Sequence, residues 1–199
     1  MLKQGFFRVA SLTAAFLVFM GVSLQMNFAA EEEAMSLLGT KKILVVYFSH
    51  SGNTYEIANQ IHSIMGGDIF EIQAVNPYPK DYNSVVNQAK QELNSDYNPE
   101  LKTKVENIKS YDLIFLGYPI WWGTFPAPVK TFLSESDLSG KTIVPFCTHE
   151  GSGLGHSVSD ISKFCPKAVI LSGLAVRGSS AKTAEKEISQ WLLRIGITK

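Results

Sequence analysis

The sequence predicts a doubly wound α/β fold with a five-stranded parallel sheet, in the order 2-1-3-4-5, covered by helices on both faces. From Lys41 onward, short apolar segments alternate with longer stretches of helical periodicity, which is typical of βαβ units. Right-handed, unknotted crossovers leave few arrangements of five parallel strands, and this order is the leading one. Ligands of such sheets bind beyond the carboxyl ends of the strands.

The first, third and fourth predicted strands are continuous apolar runs, as expected for parallel strands buried on both faces. The second alternates and suits an edge of the sheet. Pro145 lies inside the fourth run and cannot donate a ladder hydrogen bond, which predicts a bulge or a local misassignment there. The five predicted strands are Ile43–Phe48, Ile69–Ile72, Leu113–Leu116, Ile143–Cys147 and Ala168–Leu171.

Helical periodicity and terminal signals place helices in the gaps between the strands. Asp81 is a candidate N-cap, and a short helix within a loop is expected at residues 101–108. A further helix separates Cys147 from Cys165 and runs back down the sheet, so these thiols are expected to be too far apart for a disulfide. The helices with assigned bounds are Asn53–Met65, Tyr82–Leu93, Pro126–Leu133 and Ala181–Leu193.

The composition suits one globular domain. The chain has 199 residues, of which 45% are hydrophobic and 18% charged, enough to bury a substantial core. Lys and Arg together number 18 and balance 18 acidic residues, so no basic excess attracts nucleic acid. We therefore expect no nucleic-acid partner.

Residues 1–30 have the layout of a secretory signal. Two basic residues precede an uncharged apolar stretch, Val9–Met20, and small residues follow it. The alternative is a retained membrane anchor, because no charge occurs between the second basic residue and Glu31. Polar residues dilute the apolar run, which favours removal and export. Residues 31–40 are expected to form a polar lead-in, and residues 41–199 the folded domain.

The loop between the first strand and the first helix carries one glycine, Gly52, among hydroxyl and amide side chains. A turn of this kind presents unpaired backbone N–H groups and the positive end of the helix dipole to an anion. The alternative is a polar N-cap without a ligand. The loop lacks the Lys-Ser/Thr ending of a Walker loop and the three glycines of a dinucleotide fingerprint. Without Lys or Arg, it suits a terminal monophosphate.

Two more loops follow strands at the same predicted edge. Trp121 and Trp122 are adjacent in a loop that cannot bury both rings, because neighbouring side chains of an extended segment point in opposite directions. At least one is expected to stack on a planar heteroaromatic ligand, unless both cover the core. The third loop, residues 148–156, has three glycines that let the backbone approach a ligand; a flexible surface loop is the alternative.

The run Ile-Leu-Val-Val-Tyr-Phe-Ser-His-Ser-Gly-Asn-Thr, residues 43–54, resembles the phosphate-loop signature of the flavodoxin family. Gly117 to Gly123 resembles the flavin-flanking loop of a tryptophan-rich branch of that family, and the resemblance extends over residues 41–195. It implies bound flavin mononucleotide (FMN), with the first loop on the phosphate and the other two beside the ring. The implied FMN-binding residues are Ser49, His50, Ser51, Gly52, Asn53, Thr54, Pro119, Ile120, Trp121, Trp122, Gly123, Thr148, His149, Glu150, Gly151 and Gly153.

The third loop departs from the family pattern. Electron-carrier flavodoxins stack an aromatic side chain from this loop on the outer flavin face, whereas residues 148–156 contain no Phe, Tyr or Trp. That face of the flavin is therefore expected to be open.

Other chemistries lack support in the sequence. No Gly-x-Ser-x-Gly motif occurs, which disfavours a serine hydrolase. The four histidines are scattered and the two cysteines form no Cys-x-x-Cys pair, so no metal site is expected.

Two functional classes remain: an electron carrier between redox partners, and an enzyme that reduces a quinone or related small acceptor with NAD(P)H. Without residues 1–30 the chain has 16 basic and 18 acidic residues, a formal charge of −2. Carriers of this family are generally strongly acidic, so near-neutrality and the open flavin face favour the enzyme. The predominance of carriers in the family favours the carrier, so electron transfer is the predicted function and the oxidoreductase is the alternative. A flavin-free interaction domain is a third alternative.

Overall fold

The computed structural model describes residues 41–197, which form a parallel sheet with helices on both faces. The predicted signal (1–30) and lead-in (31–40) lie outside the described residues and stay predictions. Within the described part, no helix is long and apolar enough to cross a membrane. The elements are β1 (Ile43–Tyr47), α1 (Asn53–Met65), β2 (Asp68–Glu71), α2 (Tyr82–Asn94), β3 (Leu113–Pro119), α3 (Ala127–Glu135), β4 (Thr142–His149), α4 (Ser157–Phe164), β5 (Val169–Ile170), β6 (Leu174–Arg177) and α5 (Glu185–Arg194), with 3₁₀ turns at Ile108–Ser110 and Gly178–Thr183.

The sheet has the strand order β2-β1-β3-β4-β5, which confirms the predicted topology. All pairs are parallel, and β3 lies between β1 and β4 with Val45 opposite Phe115 and Phe115 opposite Val144. These three residues are fully buried, as continuous apolar strands in the middle of a sheet should be. The edge strand β2 is largely exposed, in agreement with its alternating sequence.

The helices are divided between the two faces. On one face α1 packs against α5, and on the other α2, α3 and α4 lie side by side. The ring of Trp191 on α5 meets the ring of Phe115 on β3, with 6.1 Å between their centroids. Each face of the sheet therefore has its own apolar core.

A sixth strand, β6, was not predicted. It pairs with the upper part of β4, whereas β5 pairs with the lower part, and Pro145 falls between the two pairings. The Ile143 carbonyl accepts a hydrogen bond from Leu171 on this edge, so Pro145, two residues later, also faces it. The N–H that proline lacks would thus point to the gap between β5 and β6, where β4 has no paired residue. On its other side β4 continues past Pro145 paired to β3. β4 therefore has no bulge against β3, and the irregularity lies on its other side, where four residues from Ile170 to Leu174 span three residues of β4.

The expected helix at residues 101–108 is also wrong. Leu101 forms an antiparallel bridge with Ala74, and a 3₁₀ turn begins only at Ile108. The bridge satisfies backbone groups of the segment after β2 and buries Leu101 to 9% exposure, which a short isolated helix would not do. The last helix begins later than predicted, at Glu185, because the 3₁₀ turn before it packs on α1.

Gly117 on β3 provides a test of the packing between the central strands. It lies opposite Phe146, and a Cβ at Gly117 would overlap the fully buried Phe146 ring. We expect Gly117→Ala to lower the free energy of unfolding by about 1–3 kcal/mol, because the ring cannot move without disturbing the core. Urea unfolding measures the loss.

The matched test combines Gly117→Ala with Phe146→Leu, which makes room for the new methyl group. We expect the double variant to be more stable than the sum of the two single losses predicts. Strictly additive losses would show that the two side chains do not compete for this space.

Candidate functional site

The parallel strands β1, β3 and β4 bring their following loops together at one edge of the sheet. The Ile120 N–H, just after β3, donates to the Thr148 carbonyl at the end of β4, with 2.8 Å between the atoms. The ring of His50, after β1, lies 5.7 Å from the ring of Trp121, after β3. The three loops singled out in the sequence therefore form one continuous surface.

The first loop, residues 48–52, turns into α1 through Gly52, which has φ +90°. This left-handed conformation favours glycine, and a Cβ at Gly52 would meet no atom within 4 Å, so the space beside it is open. The Ser49 hydroxyl accepts a hydrogen bond from the Tyr55 N–H at 3.2 Å. Within the described residues, the backbone N–H groups from Ser51 to Thr54 donate to no protein acceptor.

The start of α1 has the features of a site for a phosphate group. Unpaired N–H groups at a helix start, together with the helix dipole, attract an anion. The N-cap Gly52 has no side chain that could satisfy them, and the Ser51 side chain is exposed beside it. The unpaired N–H groups and the open position beside Gly52 are thus compatible with a phosphate monoester.

The second loop contains a tight turn over residues 121–124. The backbones of Trp121 and Thr124 exchange two hydrogen bonds, at 2.9 and 3.1 Å. The central residues, Trp122 and Gly123, have φ +50° and +85°, which defines a type I′ turn. Tryptophan is a poor residue for the first of these positions, where Asn or Asp is preferred, so the conformation is strained and held by its surroundings.

The two tryptophans diverge from this turn. Trp121 is half-buried, and its ring meets Phe48, His50 and Tyr78 edge-on, with centroids 5.1 to 5.7 Å apart. Trp122 is 47% exposed, and its Nε1 donates to the Val86 carbonyl on α2 at 3.0 Å. The structure brings Trp121 to the first loop and lays Trp122 on the outside of α2.

Sequence reasoning missed a fourth segment at this edge, residues 76–81, which follows β2. The Pro79 carbonyl accepts a hydrogen bond from His50 Nε2 at 2.8 Å, and the Tyr78 ring packs on Trp121. Burial and a hydrogen bond to the Glu92 carboxylate raise the pKa of Tyr78, which keeps its hydroxyl protonated as the donor of that 2.6 Å bond. The signal that could have found it is an aromatic residue, Tyr78, shortly after a strand at the ligand edge.

The third loop joins β4 to α4 and packs against the second. His156 donates from both its backbone N–H and Nδ1 to the Gly123 carbonyl, at 2.9 and 3.0 Å. A Cβ at Gly155 would clash with the same carbonyl, so glycine is required there. His149 Nδ1 accepts a hydrogen bond from the Gly151 N–H at 2.9 Å, which shapes the start of the loop. Glycine and one histidine therefore set the spacing of the two loops.

The remaining predicted site residues take different positions around this edge. Pro119 and Ile120 are half-buried at the end of β3, and Glu150 and Gly151 are exposed. The side chains of Glu150 and Asn53 converge on Gly178, which follows β6. Thr148 is buried and its hydroxyl contacts Thr54, so its side chain faces the first helix.

One carboxylate of α4 supports the second loop. Burial opposes the ionisation of Asp160, but hydrogen bonds from Lys163 and Thr124 outweigh it and hold the pKa of Asp160 below its usual value. The Thr124 hydroxyl donates to this carboxylate at 2.8 Å. Asp160 thus anchors the end of the tight turn as an anion at neutral pH.

An open parallel α/β sheet with a loop of unpaired N–H groups at its carboxyl edge is typical of mononucleotide-binding folds. The family model described as Flavodoxin matches residues 42–195. A solved candidate flavoprotein from Bacteroides eggerthii is 37% identical, with a TM-score of 0.71, and the match covers 80% of this chain and 100% of that chain. The chain belongs to the flavodoxin family.

Two further solved structures are similar. A candidate flavoprotein from Bacteroides uniformis is 29% identical, with a TM-score of 0.67, over 75% of this chain and 98% of that chain. A flavoprotein from Lactobacillus acidophilus, solved in complex with FMN, is 25% identical, with a TM-score of 0.61, over 76% of this chain and 99% of that chain. No curated protein matches the sequence.

The two cysteines provide a test of how closed the core is below the site. Both are free and buried, and burial raises the pKa of Cys147 to about 12 and that of Cys165 to about 11. Since the thiolate is the reactive form, we expect neither to react with Ellman's reagent in the native protein from about pH 7 to pH 9. Both should react once the protein is unfolded in denaturant. Rapid labelling of native protein that increases with pH in this range would contradict the buried placement.

Proposed function

We propose that the protein binds FMN at the carboxyl edge of its sheet and transfers electrons through it. The observation that carries this proposal is the set of N–H groups from Ser51 to Thr54, which have no acceptor among the described residues, together with the open space beside Gly52. The family membership and the FMN complex of the Lactobacillus acidophilus relative support FMN as the ligand. Bound FMN supplies reversible one- and two-electron redox chemistry, and the protein supplies its binding and orientation.

Each loop has a distinct role in this proposal. The first holds the phosphate through backbone amides and the dipole of α1, which needs no Lys or Arg. Trp121 provides the aromatic wall for the ring, since its ring is fixed between Phe48, His50 and Tyr78. The glycines of the third loop let backbone groups approach the ring edge. Trp122 serves instead to pin the turn to α2.

An electron carrier and an NAD(P)H-dependent oxidoreductase both use such a site. Predominance of carriers in the family supports the first, with a redox partner protein as electron donor or acceptor. The exposed, aromatic-free stretch Glu150–Ser152 supports the second, because a flat acceptor needs access to the ring for hydride transfer. The near-neutral charge points the same way.

Ser51→Asp tests phosphate recognition. The new carboxylate would stand among the unpaired amides, so it favours the helix start of the free protein and repels the FMN phosphate. We expect affinity for FMN to fall at least about tenfold, and affinity for riboflavin, which has no phosphate, to stay unchanged. Titrations followed by flavin fluorescence measure both.

The control for this test is Ser63→Asp, an exposed position near the other end of α1 that receives the same charge. We expect it to bind FMN as the wild type does. Equal losses of FMN affinity in both variants, or a loss of riboflavin affinity in Ser51→Asp, would contradict phosphate binding at the start of α1.

Steady-state oxidation of NADH or NADPH with a quinone or azo dye distinguishes the carrier from the enzyme. A carrier should turn over far more slowly than about 1 per second, since it lacks a nicotinamide site. Turnover at or above that rate would establish a reductase and contradict the carrier role.

A further inference from the structure

Thr54 and Thr148 form a buried pair that joins the start of α1 to the end of β4. Their Oγ1 atoms are 2.8 Å apart, although the residues are 94 positions apart in the chain. Thr54 is 1% exposed and Thr148 is 4% exposed. Thr54 also carries one of the unpaired backbone N–H groups of the first loop. The pair therefore adjoins the proposed phosphate site through Thr54.

The two hydroxyls leave one proton without a protein acceptor. Each hydroxyl has one proton to donate and two lone pairs to accept with. The bond between them uses one proton, and neither hydroxyl makes another hydrogen bond within residues 41–197. A buried donor left unpaired is costly, so a ligand or a water molecule must accept the remaining proton.

Resting on the proposed FMN binding, we propose that Thr148 is a positioning residue for the phosphate: it donates to Thr54, so that the Thr54 hydroxyl donates to the phosphate group. An anion at the helix start is a better acceptor for the Thr54 proton than the Thr148 hydroxyl is. In a chain of hydrogen bonds each donor strengthens the next, so donation from Thr148 to Thr54 strengthens donation from Thr54 to the phosphate. Thr148 also holds the side-chain rotamer of Thr54. A helical threonine otherwise turns its hydroxyl back to the carbonyl three or four residues before it.

A purely structural role is the competing explanation, since the same bond also fastens α1 to the sheet. The two roles differ in which flavins lose affinity when the bond is removed. A structural fastener affects all flavins alike through the stability of the fold. A positioning residue affects only ligands that carry the phosphate, and only through Thr54.

The experiment compares FMN and riboflavin affinities of the purified protein by fluorescence titration. We expect Thr148→Val to weaken FMN binding about tenfold and Thr148→Ser, which keeps the hydroxyl, to bind nearly as the wild type. Thr54→Val should weaken FMN binding about tenfold to a hundredfold, and the double valine variant no further. Riboflavin affinity should be the same in all four.

Thr131→Val is the matched control, because Thr131 is also buried and donates to a backbone carbonyl, but on α3 across the sheet. It should lower stability and leave FMN affinity unchanged. If Thr148→Val does not fold, Thr148→Ala removes the same donor and is judged by the same criteria.

Three results would overturn the inference while FMN binding stands: wild-type affinity in Thr148→Val, equal losses for FMN and riboflavin, or additive losses in the double variant. A wild-type protein that does not bind FMN would overturn the proposed function, and this inference with it.

Discussion

The parallel pairing of β3 with both β1 and β4 fixes where every other part of the molecule can go. Parallel strands present all their carboxyl ends at one edge, and each must return through a crossover on one face or the other. The loops at that edge therefore meet whatever their sequences are. The sequence determines the chemistry of these loops. Here unpaired backbone amides, an aromatic cluster around Trp121 and several glycines lie side by side.

The tight turn of the second loop is held by tertiary contacts in a backbone conformation that its own residues disfavour. Trp122 adopts a left-handed conformation that tryptophan avoids, and it does so with its indole bonded to α2 and the next carbonyl held by His156. The strain is offset by contacts to two different elements, as is common at ligand sites. The consequence is that Trp121 faces inward, where Tyr78 and Phe48 hold its ring. One tryptophan supports the turn so that the other can meet a ligand.

The strand order, the three edge loops and the family could be predicted from the sequence, because apolar runs and a strand-to-helix turn are local patterns. The elements that could not be predicted depend on non-local pairing. β6 is short and finds its place only against the upper half of β4, and the same pairing explains why Pro145 is tolerated. Tyr78 reaches the site through its hydrogen bond to Glu92, 14 residues later, which no periodicity reveals.

The position of the Thr148 side chain also depends on a non-local contact. The sequence predicted it as the first residue of the loop after the fourth strand, whereas β4 extends through it to His149, and its hydroxyl meets Thr54 on α1. Local sequence indicates which edge of the sheet a residue lies at. It does not indicate which neighbour its hydroxyl will find.

A titration of ¹⁵N-labelled protein with FMN, followed by the amide and indole resonances, tests phosphate recognition at the start of α1 directly. We expect the largest changes at the backbone amides of Ser51 to Thr54 and at the indole of Trp121, with little change at the indole of Trp122. Riboflavin should leave the four loop amides nearly unshifted while still affecting Trp121. Unchanged loop amides in the presence of saturating FMN, or equal shifts with the two flavins, would contradict phosphate recognition at the start of α1.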